Sequence, residues 1–132
     1  MYQPLPSTFG AALAIMGKKS ERPVGRDLTL SRESEHRIVL IYGREQVIAY
    51  NAENGSPASI ELALGDNRTS AVRSLANQAL SATGVVIAEE TAKERELLER
   101  RGIPVDATEP WTVFAPATRG TPYKDGMTFP VL

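Results

Sequence analysis

The sequence predicts an α+β domain: an antiparallel β-meander extended into a mixed sheet, with two helices on one face and extended Pro-rich arms at both termini. Three observations predict it. Runs rich in β-branched and aromatic residues recur between residues 36 and 64, separated by short turn-forming stretches. Segments with helical spacing follow them. Eight of the nine prolines lie in residues 1–26 or 104–132, with only Pro57 between. Proline removes a backbone donor and fixes φ, so those ends resist regular helix and central strand. The expected organisation is an N-terminal arm with a short helix (1–26), an α+β domain (27–115) and a C-terminal arm (116–132).

In the first arm, Ser7 is placed to cap a helix through Met16 that Gly17 ends, with Phe9, Leu13 and Met16 at helical spacing. Lys18 to Arg26 is charged and holds Pro23 and Gly25, so it reads as an exposed link. His36–Tyr42 and Gln46–Tyr50 are strands, and Gly43-Arg44-Glu45 between them supplies a hairpin loop. In Ser59–Leu64, Ile60, Leu62 and Leu64 alternate with Ser59, Glu61 and Ala63, the mark of a strand with one buried face. Thr69–Ala82 follows as a helix with Val72, Leu75, Ala76, Ala79 and Leu80 on its apolar stripe; Arg73, Ser74, Asn77 and Gln78 fall mostly elsewhere. Val85–Ile87 is a short strand. Thr91 and Glu94 have capping-box spacing and open a second helix that Gly102 closes. Trp111–Ala115 is the last strand. A parallel crossover between the Val85 and Trp111 strands is compatible with that order.

Composition narrows the function classes. At 132 residues the chain fits one core, and 42% hydrophobic with 23% charged residues is ordinary globular composition. Fifteen basic and sixteen acidic residues leave a net charge of −1, without the basic surplus of a protein living on phosphate contacts. A local excess at Lys18, Lys19, Arg22 and Arg26 is where nucleic acid would be met, although Glu21 and Asp27 offset part of it. Cysteine is absent, which removes disulfides and thiolate sites and fits a cytoplasmic protein. No apolar run approaches the ~20 residues of a membrane span, and no basic stretch precedes Phe9–Gly17 as it would in a signal peptide.

Catalytic groups are sparse. His36 is the single histidine, and Glu35 beside it would point to the opposite face of a strand. Glu61, Asp66, Glu89 and Glu90 are the carboxylates a metal-dependent phosphodiesterase or nuclease would use, but the Glu-x-Lys pattern of such sites is missing. Gly65-Asp66-Asn67 precedes a helix without the phosphate-loop spacing. The sequence therefore implies no cofactor, no metal and no catalytic residue. Its least ordinary feature is the apolar content of the arms: Tyr2, Leu5, Phe9, Leu13 and Met16 at one end, Tyr123, Met127 and Phe129 at the other. Those residues point to a non-enzymatic protein–protein interaction or assembly component. It would be an oligomer or particle subunit, a virion component among the options, that contacts neighbours through its arms.

Overall fold

Leucine, isoleucine and tyrosine at every second position of successive strands give a sheet one continuous apolar face, and such a sheet dominates this chain. The computed structural model describes residues 5–52, 58–65, 69–89, 96–97, 99–102, 111–116 and 120–131. The described elements are α1 (Phe9–Met16), β1 (Glu21–Gly25), β2 (Leu28–Ser34), β3 (Arg37–Tyr42), β4 (Glu45–Asn51), β5 (Ser59–Leu62), α2 (Ser70–Ala79), β6 (Val86–Glu89), β7 (Trp111–Phe114), β8 (Thr121–Pro122) and β9 (Thr128–Pro130), with a 3-10 turn at Ser81–Thr83.

Strands β1 to β5 form an up-and-down meander, and β9 returns to pair with β5, giving the order β1-β2-β3-β4-β5-β9. Tight loops set the register. Gly43 at φ +64° opens the two-residue loop between Tyr42 and Glu45, a conformation that glycine adopts without strain. Pairing then aligns one apolar row through Leu30, Leu40, Ile48 and Leu62. A second row runs through Ile38, Tyr50, Ile60 and Phe129. All eight residues are buried. Helix α1 packs on this sheet against β1, β3 and β4, with Ala12 and Met16 fully buried. Strands β6, β7 and β8 make a second, three-stranded sheet against which α2 packs through β6. Trp111 and Tyr123, both buried, meet edge to face with ring centroids 6.2 Å apart.

The α+β class and the meander match the sequence expectation. The mixed sheet takes another form: every pairing among the described strands is antiparallel, and the Val85 and Trp111 segments pair directly, Val86 with Phe114, with no parallel crossover. The two helices described in full are α1 and α2; the expected second helix lies mostly outside the described residues, with Glu96, Leu97, Glu99 and Arg100 helical and Arg100 bonded to Glu96 at 2.9 Å. The charged stretch expected to be a link contains β1. Among the described residues, no helix is long and apolar enough to cross a membrane.

The terminal segments are sewn into the domain. Ser7 does not cap α1; the Thr8 hydroxyl does, accepting from Ala11 N–H at 3.0 Å. Ser7 Oγ instead donates to Ala79 O at 2.9 Å and accepts from Ala82 N–H at 2.6 Å, filling donor and acceptor gaps where α2 ends. Leu5 N–H donates to Gln78 Oε1 at 3.1 Å. At the other end, Val131 N–H bonds Ala58 O and Leu62 N–H bonds Met127 O, which locks β9 onto β5.

Candidate functional site

Helix α1 reads FGAALAIM, with no charged side chain and no side-chain hydrogen-bonding group. Ala12 and Met16 fill the core, and Phe9 and Ile15 are half-buried against it. Gly10, Ala11, Leu13 and Ala14 face outward and are exposed, Leu13 at 38%. A surface helix ordinarily turns charged or polar residues to water, and one that is apolar all round is ordinarily covered on all sides. Among the described residues, helix α1 is covered on one side by its own chain.

The helix is capped at both ends. Thr8 caps the first turn, and the Gly17 N–H closes the last turn on Leu13 O at 2.9 Å, with Gly17 at φ +60°. Two arginines complete the C-terminal end: Arg22 Nη1 donates to Ile15 O at 2.8 Å and Arg32 Nη2 to Gly17 O at 3.0 Å. Both cations sit where the helix dipole is negative. Arg22 therefore has a structural partner, while Lys18, Lys19 and Arg26 are exposed around it.

The other residues singled out from the sequence are distributed as follows. Tyr2 lies outside the described residues. Leu5, Met16, Tyr123 and Phe129 are core, and Met127 is half-buried against it. Of the arm residues expected to make contacts, Leu13 is the one the described structure leaves well exposed. His36 occupies a two-residue hairpin tip between Ser34 and Arg37, and its N–H donates to Ser34 Oγ at 3.2 Å. Glu61 pairs with Arg37 at 3.2 Å and Glu89 with Arg73 at 3.5 Å; Asp66 and Glu90 lie outside the described residues. Among the described residues, no three metal-ligating side chains come together.

No family model, curated protein or solved structure matches this chain. Its own geometry carries the reading.

On the outer face of the large sheet, Arg37 reaches across four strands. It donates to Glu33 at 3.3 Å, Asn51 at 3.1 Å and Glu61 at 3.2 Å, and Asn51 donates on to Ser59. Burial works against the charged guanidinium, but Glu61 and Glu33 outweigh it and hold its pKa above the ordinary arginine value. Beside it lies a hollow of about 70 Å³ floored by Val39 and Ala49. Ligand pockets run to about 300–1,000 Å³, so this hollow suits a water or two and no metabolite. The network is a cross-strand clasp.

Tyr50 is the buried polar side chain whose hydroxyl has no hydrogen-bond partner among the described residues. Burial raises its pKa well above the ordinary tyrosine value near 10. An orphaned buried donor costs about 1–3 kcal/mol, so Tyr50→Phe is expected to stabilise the domain by about 1 kcal/mol in urea unfolding. The pH dependence has a definite sign. The unfolded chain releases the Tyr50 proton near pH 10 while the folded chain retains it, so stability is complete below pH ~10 and falls above it. The phenylalanine variant lacks that share of the alkaline loss, and equal slopes for both proteins above pH ~10 would refute the assignment.

Proposed function

We propose that this chain is a non-enzymatic assembly component of the cytoplasm, a subunit that contacts further copies of itself through the outward side of α1. The observation that carries the reading is a fully apolar helix, capped at both ends, that the described residues of its own domain cover on one side only. The cysteine-free sequence fits a reducing compartment. A second copy is the fitting occupant because the exposed surface is uncharged and built of small residues around Leu13. Two such faces approach closely about a two-fold axis without like-charge repulsion.

Size decides what kind of contact this is. Eight residues make a helix about 12 Å long, and its outward side is far smaller than the roughly 1,200–2,000 Å² of a stable pairwise interface. A single contact is therefore weak. It becomes effective where many subunits are held together, as in a particle, because each added contact is made at high effective concentration.

The test is the mass of the full chain across a concentration series by analytical ultracentrifugation, with Leu13→Lys as the comparison. Wild type is expected to gain mass as concentration rises. The lysine variant is expected to stay at the monomer mass with an unchanged urea midpoint, since Leu13 is exposed. Identical mass curves for the two proteins would overturn the α1 reading.

A further inference from the structure

Assemblies of β-rich subunits face a hazard, because an open strand edge pairs with whatever edge lies beside it. The described strands of this chain leave four edges: β1 and β9 bound the large sheet, and β6 and β8 bound the small one. In an antiparallel pair, residues alternate between those whose N–H and C=O meet the partner strand and those whose groups point away. The register therefore tells which residues each edge offers to a newcomer.

On β1, Arg32 N–H bonds Ser20 O, so Ser20 and Arg22 face β2 while Glu21 and Pro23 face outward. On β9, Met127 and Val131 bond β5, so Phe129 faces inward while Thr128 and Pro130 face outward. On β8, Tyr123 N–H bonds Trp111 O, so Thr121 and Tyr123 face β7 while Pro122 faces outward. Each of these three edges presents a proline at an outward-facing position, where a strand added from outside would need a donor. The fourth edge is blocked at one outward-facing residue by other means. Ile87 faces out from β6, and the Asn77 side chain of α2 takes both of its groups: Ile87 N–H donates to Asn77 Oδ1 at 2.7 Å, and Asn77 Nδ2 donates to Ile87 O at 3.1 Å. The amide of Asn77 stands in for one residue of a further strand.

We propose that Pro23, Pro122, Pro130 and Asn77 act together as edge guards. They confine contact between this chain and its neighbours to the faces of the domain, so that copies crowded side by side do not add or exchange strands. Replacing a proline by valine restores the missing outward donor and adds a residue that favours strand, with no change of charge. The inference follows from register and stands apart from the α1 reading.

The experiment uses the full chain with Leu13→Lys as background, which silences α1 and leaves the edges as the route to association. Pro23→Val, Pro122→Val and Pro130→Val are combined in it, and mass is followed by sedimentation, with thioflavin T fluorescence reporting intermolecular β-structure. The background protein is expected to hold its mass as concentration rises. The triple variant is expected to gain about twofold or more, with a dye signal. A folded triple variant whose mass matches the background at every concentration would overturn the proposal. Pro122 is half-buried, so the exposed pair Pro23→Val with Pro130→Val gives the same reading if the triple variant does not fold. Failure of the α1 reading shows separately, as a Leu13→Lys protein no different in mass from wild type.

Discussion

A variant lacking residues 1–26 is expected to lose its cooperative fold. The segment looks like an arm in the sequence, but it delivers all of α1 and β1 and places Leu5, Ala12 and Met16 in the core. Its removal uncovers the apolar face of β3 and β4 on which α1 lies. It also withdraws Ser7 from the end of α2, leaving Ala79 O and Ala82 N–H without those bonds. Emptying one buried leucine or methionine site costs about 2–5 kcal/mol, and a domain of this size holds about 5–15 kcal/mol in all. Deleting two such sites, a cap and an edge strand exceeds that reserve. The expected readout is a shallow or absent urea transition and loss of the near-ultraviolet circular dichroism of Trp111. Met16→Ala, at about 2–5 kcal/mol, provides a graded comparison that still folds. A shortened chain with the wild-type urea midpoint would show that α1 is dispensable. The practical consequence is that loss of association on truncation says nothing about arms, whereas Leu13→Lys alters one exposed side chain and leaves the core intact.

How far the sequence revealed this fold depended on where each signal sat in the sheet. Strands β3, β4 and β5 were legible because central strands buried on one face demand β-branched or large apolar residues at alternate positions. Strand β1 was not, because its sequence is Glu-Arg-Pro-Val-Gly. The rule against proline in strands holds for positions that must donate into the ladder, and Pro23 faces away from β2. The same geometry hid β8 and β9 behind Pro122 and Pro130. Three of the terminal prolines therefore lie on sheet edges, where in the sequence they read as part of extended arms. Polar residues misled in a second way. Asn77 and Gln78 sit off the apolar stripe of α2, yet one closes β6 and the other holds Leu5. Periodicity reports which side chains are apolar, but not which polar ones are committed to backbone groups far away in sequence. Of the expected contact residues, Leu13 alone combines an apolar side chain with substantial exposure in the described structure, because its neighbours on the helical stripe were taken up by the core.

Two buried tyrosines predict opposite outcomes for the same substitution. The Tyr50 hydroxyl has no partner among the described residues, so Tyr50→Phe removes a cost. The Tyr123 hydroxyl accepts from Leu64 N–H at 3.0 Å and donates to Asp125 Oδ1 at 2.7 Å, and Leu64 is fully buried. Tyr123→Phe deprives the Leu64 donor of its acceptor in a place water does not reach, at an expected cost of about 1–3 kcal/mol. Tyr123→Ala goes further, because the ring that packs edge to face on Trp111 is also lost. Emptying a buried aromatic site costs about 3–5 kcal/mol, and the hydroxyl loss adds to it, a large share of a reserve of about 5–15 kcal/mol. Urea unfolding of the two variants separates the ring from the hydroxyl, and amide hydrogen exchange at Leu64 reports the hydroxyl alone. The expected order of stability is Tyr50→Phe above wild type, then Tyr123→Phe, then Tyr123→Ala. A Tyr123→Phe protein with wild-type stability and a protected Leu64 amide would mean that the C-terminal segment is held by β9 pairing alone, without the Tyr123 clasp between β8 and the end of β5.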